Sequence, residues 1–189
     1  MESHSENDMF IHGKGKLVEL FHQMGAMRTQ FEPTGKSSMS SVSEFLPTHS
    51  NLLFIHNTFV SQNEINFPDI ENARDRTWFG FCVKANLYIE ERVPDIPLFI
   101  KNGCKITVGT DSLASNDTLS VLEELKAIHK SFPQIEIATL LTWATRNGAE
   151  YFGWEDLGSF QEGNRPGVIL ITDCNNQVIG NSASIRRIV

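Results

Sequence analysis

Two short apolar runs constrain this chain more than any other feature, because each ends on a polar side chain of metal-ligand type. Leu52-Leu53-Phe54-Ile55 runs into His56, and Lys105-Ile106-Thr107-Val108-Gly109-Thr110 runs into Asp111-Ser112. Short apolar runs bounded by polar segments read as strands buried on both faces, the pattern of a parallel sheet. Parallel α/β barrels build their active sites at the C-terminal rim of the strands, which is where these two side chains would stand. An imidazole and a carboxylate suit zinc, iron or manganese and a water bound to it. Taken singly, Asp111 reads equally well as a turn or N-cap aspartate before Ser112. A lone His at a strand end is more often a hydrogen-bonded core residue than a ligand. The matched places of His56 and Asp111 on two strands turn the balance toward ligands.

Charge and composition exclude several partners. The net charge of −7 over 189 residues argues against nucleic acid, whose binders present a basic face. Arg186-Arg187 is the only adjacent basic pair, so no polybasic membrane patch stands out. No apolar run approaches the roughly 20 residues that a membrane helix needs, and the polar, acidic segment from Met1 to Asp8 is no signal peptide. Cys82, Cys104 and Cys174 are odd in number, widely spaced and without a C-x-x-C pair, which favours reduced thiols and a cytoplasmic location over a disulfide or zinc knot.

Periodicity orders the elements. A helix is expected over 5–24 from Phe10, Leu17, Leu20, Phe21 and Met24, weakened by Gly13 and Gly15. A turn-rich loop over 31–38 leads to a short helix capped by one of the serines in 37–43 and stopped at Pro47. After the first strand, Ser61 and Glu64 have capping-box spacing. A second strand is expected over 77–83, a third over 105–109, and long helices over 117–130 and 135–152. Strands over 166–171 and 184–189, around an Asn175-Asn176 turn, close the chain. Strands alternating with helices, then strands alone, indicate a parallel α/β unit over 1–160 followed by a β segment over 161–189.

Other polar residues carry less. Cys82 ends the second strand and reads as a buried structural thiol more readily than as a metal thiolate. Lys84 and Asn86, just beyond, either contact substrate from a rim loop or cap that loop. Glu2, His4, Glu6 and Asp8 read as a solvated or disordered end. His12, His22, His49 and His129 read as surface or packing residues, and Trp143 and Trp154 as core around the last long helix.

Several stretches resemble the amidohydrolase superfamily in its deaminase and chlorohydrolase branch. They are Glu2-Ser3-His4-Ser5-Glu6, Leu53-Phe54-Ile55-His56-Asn57-Thr58, Cys82-Val83-Lys84-Ala85-Asn86-Leu87-Tyr88, Gly109-Thr110-Asp111-Ser112-Leu113-Ala114-Ser115-Asn116 and Thr142-Trp143-Ala144-Thr145-Arg146-Asn147-Gly148-Ala149. Leu157-Gly158-Ser159-Phe160-Gln161-Glu162-Gly163 with Pro166-Gly167-Val168 resembles the tail where such chains leave the barrel for a β-sandwich.

The resemblance implies the C-terminal half of a (β/α)8 TIM-type barrel, with about three parallel strands and their helices. Short C-terminal strands of a partial β-sandwich would follow. It implies His56 facing a metal-bound hydroxide or a developing oxyanion, and Asp111 as a metal ligand that takes the water's proton. Glu2 would be the proton shuttle of an H-x-x-E motif, and Lys84, Asn86 and Ser112 would contact a small heterocyclic substrate. His56 and Asp111 would be this chain's contribution to a divalent metal, zinc first and iron or manganese as alternatives.

The family's H-x-H pair and strand-five His have no counterpart in the sequence, and Cys82-Val83 replaces its frequent Cys-Pro. From this the chain is expected to be part of a longer enzyme, inactive alone and without bound metal, because one His and one Asp fall short of the usual ligand set. Three strands cannot close a barrel, so self-association through open edges is expected. The contrasting reading is a metal-free α/β binding or assembly domain, with His56 and Asp111 structural.

Overall fold

The computed structural model describes residues 2–26 and 31–189. Helices α1 (His4–His12), α2 (Lys16–Gln23) and α3 (Ser38–Val42) precede strand β1 (Leu52–Ile55). Helices α4 (Gln62–Ile65) and α5 (Pro68–Asn72) lead to β2 (Thr77–Phe81), α6 (Val83–Glu90), α7 (Ile96–Lys101) and β3 (Lys105–Val108). The chain continues through α8 (Val121–Ser131), α9 (Ile137–Ala144) and α10 (Arg146–Phe152) to β4 (Ile169–Ile171) and β5 (Ile185–Arg187). Each of the first three strands is thus followed by a helix, and an antiparallel pair comes last.

The chain divides into two compact units, one of residues 1–77 and 94–104 and one of 78–93 and 105–189. In the first, Met9, Val18, Met39, Leu52, Ile65, Ile70, Ile96 and Phe99 are buried. The single long helix expected over 5–24 is two helices here. Gly13 adopts a left-handed conformation (φ 65°) and its N–H caps α1 on the carbonyls of Asp8 and Met9, so the helix stops before Lys16. The N-terminal cluster is ordered, contrary to expectation: Ser3 caps α1 by accepting from the Glu6 N–H at 3.1 Å. The capping box at Ser61 and Glu64 is present and starts α4. Ser37 caps α3, as its serine run suggested.

In the second unit, β2 pairs parallel with β3 in the register Phe79 with Ile106 and Phe81 with Val108. All the residues of β2 are buried, which is why its sequence is an aromatic run and not an alternation. Leu122, Leu125, Ile128, Leu140 and Trp143 supply the helical side of this core. The helix expected over 135–152 breaks at Thr145 (φ −131°, ψ −82°) into α9 and α10. The break serves β3: Thr107 Oγ1 donates to the Trp143 carbonyl at 3.3 Å, and Asn147 Nδ2 donates to the Ile106 carbonyl at 2.6 Å. Trp143 is core, but Trp154 is half exposed and stacks on Phe152, with ring centroids 4.6 Å apart. The tail turns at Asn175, whose Oδ1 accepts from the Gln177 and Val178 N–H groups at 2.8 and 2.9 Å. Its strands β4 and β5 are short and antiparallel, pairing Leu170 with Arg186.

Candidate active site

β1 ends at Ile55, and His56 and Asn57 follow in the left-handed region, with φ 69° and 57°. That conformation costs an L-residue about 1–2 kcal/mol, so its surroundings must hold it. Asn57 and Thr58 are buried, and Asn57 Nδ2 donates to the Phe54 carbonyl at 2.9 Å. The turn leaves the His56 ring largely covered, with 14% of its side chain exposed and its Nε2 3.5 Å from Glu2 Oε1. Glu2 is held by the start of α1, where its own N–H donates to Glu6 Oε2 at 2.8 Å. His4 packs against Phe59 with ring centroids 3.9 Å apart, which ties this end of α1 to the segment after His56. The spacing of Glu2 and His56 suits an ion pair and is slightly longer than a direct hydrogen bond. A small closure would let the pair pass a proton.

In the second unit, β3 ends at Val108 and the Gly109 N–H donates to the Phe81 carbonyl at 3.0 Å. Asp111 follows in a left-handed conformation of its own, φ 58°. Its carboxylate is exposed, and Oδ2 accepts from Ser115 Oγ at 2.5 Å. Non-glycine residues in this region mark turns under constraint and cluster at functional sites. Ser112 is exposed too, and its Oγ accepts from the Ala114 N–H at 3.3 Å. Asn116 bridges behind the loop, donating from Nδ2 to the Thr110 carbonyl at 2.8 Å.

Lys84 and Asn86 lie in the first turn of α6, because the chain enters that helix directly after Cys82 and leaves no rim loop there. Lys84 Nζ pairs with the Asp117 carboxylate and holds it below the usual carboxylate range. Asn86 is wholly buried. Cys82 is buried as well, and its thiol is pushed up to about 12, by burial first and then by the charges of Glu124 and Asp111. A buried neutral thiol is a poor nucleophile and packs as a small hydrophobe, which supports the structural reading of Cys82. With that pKa its thiolate fraction at pH 8 is about 10⁻⁴. Iodoacetamide is therefore expected to modify Cys82 at least about 100-fold more slowly than Cys174, read by peptide mass spectrometry. The unfolded thiol ionises near 9.0 and the folded one near about 12. Folding stability should therefore fall as pH rises through that window.

One group that sequence reading passed over is central to the second unit. Glu124 of α8 is fully buried, and its Oε1 and Oε2 accept from Asn116 Nδ2 at 2.7 Å and from the Lys84 N–H at 3.0 Å. The signal was present: Val121, Glu124, Leu125 and Ile128 share helical spacing, so an acidic residue sits on the apolar stripe.

A structural zinc-type ion takes four protein ligands and a catalytic one three. Among the described residues no group of three or more His, Cys, Asp or Glu could hold a metal. The donor set of these residues therefore does not by itself fit a metal ion. No helix among them is long and apolar enough to cross a membrane.

Comparison with known proteins gives these features a setting. The chain is 29% identical over 162 residues to the 5-methylthioadenosine/S-adenosylhomocysteine deaminase of Aquifex aeolicus, an alignment covering 82% of this chain and 36% of that protein. It is 29% identical over 153 residues to an adenosine deaminase of Helicobacter pylori, covering 79% and 36%. The crystal structure of Helicobacter pylori aminofutalosine deaminase with methylthio-coformycin superposes with a TM-score of 0.71 at 26% identity, over 88% of this chain and 40% of that one. A zinc-bound adenosine deaminase from Xanthomonas campestris shares the fold at a TM-score of 0.59 and 20% identity, over 91% and 36%. The chain spans little more than a third of the length of these relatives, so its α/β architecture is that of part of an amidohydrolase barrel. The amidohydrolase family pattern matches residues 2–186, a span that takes in Glu2, the exit of β1 and the exit of β3. With the fold and the pattern agreeing over nearly its whole length, the chain belongs to the amidohydrolase family.

Proposed function

We propose that this chain carries the proton-handling side chains of a metal-dependent hydrolytic deaminase acting on a C–N bond of a heterocycle, foremost a purine or related ring. Hydrolysis of a C–Cl bond is the sister reaction. The observation that carries the reading is the Glu2 carboxylate beside the His56 imidazole, 3.5 Å apart at the end of β1. Deaminases need a separate acid to protonate a ring nitrogen or the leaving amine, and a partly exposed carboxylate facing a largely covered imidazole can hold and deliver that proton. Glu2 has the acid's role, His56 faces the developing oxyanion, and Asp111 accepts the proton of the attacking water. Lys84, Asn86 and Ser112 are the family-type contact positions: Ser112 is exposed and Lys84 partly so, as substrate contacts require, whereas Asn86 is wholly buried and fits a packing role at the start of α6.

His56 and Asp111 are also the ligand-type side chains that this chain offers to the family's divalent metal, zinc foremost, with iron or manganese as alternatives. The described donors do not by themselves complete a metal site. We assign residues 1–160 to the barrel part and 161–189 to a β segment, place the protein in the cytoplasm, and expect self-association through strand edges. The incomplete donor set is also what a non-catalytic binding or assembly domain of this fold would show.

Fragment complementation tests the reading. The chain is co-expressed with the part of Helicobacter pylori aminofutalosine deaminase that it does not align with, and the co-purified assembly is assayed for ammonia from adenosine and 5-methylthioadenosine. Ammonia release by the assembly, and none by the chain alone with zinc, iron or manganese, is the expected result. An assembly that co-purifies with metal and stays inert would favour the binding-domain reading.

A further inference from the structure

The buried acid of the second unit has no part in the chemistry proposed above, yet it contacts the loop that bears Asp111. Glu124 is 0% exposed, the one acidic side chain among the buried residues described. A carboxylate in that position is costly unless its lone pairs are filled. Burial raises its pKa, and the N–H groups of Lys84 and Val83, the Asn116 amide and the Lys84 charge hold the rise back. Leu would satisfy the apolar stripe of α8 without that cost, so packing alone does not account for the carboxylate.

The hydrogen bonds show what it joins. Glu124 Oε2 accepts from the Lys84 N–H at 3.0 Å, in the first turn of α6. Its Oε1 accepts from Asn116 Nδ2 at 2.7 Å, and the same amide donates to the Thr110 carbonyl at 2.8 Å. Asn116 Oδ1 in turn accepts from the Thr118 N–H at 3.3 Å. Ser115, beside Asn116, donates to Asp111 Oδ2 at 2.5 Å. The loop from Thr110 to Asn116 is therefore fastened at both ends, and α6 starts on the same carboxylate. The left-handed Asp111, φ 58°, sits inside that fastening.

We propose that Glu124 is a positioning residue for Asp111: acting through Asn116 and Thr110, it holds the exit of β3 against the first turn of α6. The fastening is a claim about this chain's own structure. Its value to catalysis rests on the hydrolase reading above.

Hydrogen exchange on the purified chain, residue by residue, tests it without any assay of turnover. Glu124→Leu removes both links and should speed exchange of the Lys84 amide and of the 110–116 amides at least about tenfold, beyond any change in global stability measured by denaturant. Asn116→Ala leaves the Lys84 link and cuts the loop's, together with the bonds of Asn116 to the Thr110 carbonyl and the Thr118 N–H. It should free the 110–116 amides to the same extent while the Lys84 amide keeps its protection. Glu124→Gln, which retains acceptor oxygen, should fall between wild type and Leu. If Glu124→Leu does not fold, Glu124→Gln decides: its NH2 must face one of the two donors, so exchange at Lys84 or across 110–116 should rise, and unchanged exchange at both would overturn the proposal. Unchanged 110–116 exchange in Asn116→Ala, or equal loosening of the loop and Lys84 amides in it, would overturn the proposal. Neither result depends on whether complementation yields ammonia, so a failed hydrolase reading and a failed positioning claim are told apart.

Discussion

Glu2→Gln should reduce ammonia release by the complemented assembly about 10²–10⁴-fold, the range typical for removing a general acid or base. Gln keeps the size of the side chain and a partner for the imidazole, so His56 stays near its present place, 3.5 Å away in the wild type. It cannot give up a proton to a leaving amine. The loss should therefore fall on kcat with KM nearly unchanged, since the missing interaction exists only in the transition state. Stability should move little, because the pair is partly exposed and such pairs contribute about 0–1 kcal/mol. Steady-state kinetics on assemblies matched for metal content provide the check. A Glu2→Gln assembly with wild-type kcat would remove Glu2 from the mechanism.

Gly158→Ala should destabilise the fold by about 3 kcal/mol. Gly158 has φ +77°, which an L side chain adopts at a cost of about 1–2 kcal/mol. A methyl group there would stand 2.8 Å from Arg146 Cα and 2.8 Å from Ala149 Cβ at the start of α10. The first is backbone, so no rotamer change relieves it, and overpacking of this kind costs about 1–3 kcal/mol. For a chain of this size the melting temperature should drop by roughly 6–12 °C. Gly153→Ala is the control. It shares the left-handed conformation, φ +69°, but nothing lies within 4 Å of the added carbon. Its loss should be only the backbone part, about 1–2 kcal/mol. Equal shifts for the two variants in thermal unfolding would show that the close approach to α10 relaxes freely.

The residues of the tail motif thus have a packing reason that the sequence did not disclose. Leu157-Gly158-Ser159 reads only as part of the tail leaving the barrel, and the approach of Gly158 to α10 requires knowing where the helix lies. The same gap explains the errors in helix length. Periodicity carried the expected helices across Gly13 and Thr145, since apolar spacing continues on both sides of each. The chain breaks there for separate reasons, a left-handed cap at Gly13 and a claim on Asn147 by the Ile106 carbonyl. Trp154, expected as core around the last long helix, lies half exposed and stacked on Phe152.

β2 was legible because burial on both faces demands an unbroken apolar run; β1 and β3, expected to be buried in the same way, are only partly covered, with Ile55 and Lys105 exposed. From the residues alone came the places of β1, β2 and β3, the polar exits at His56 and Asp111, and, through the resemblance, the family. Only the folded chain put the Glu2 carboxylate beside His56, distant in sequence, and turned His56 and Asp111 left-handed. It alone made Glu124 the anchor of two segments. Local pattern reports which face of an element is buried; what stands against that face depends on contacts far apart in the chain, and these no spacing rule encodes.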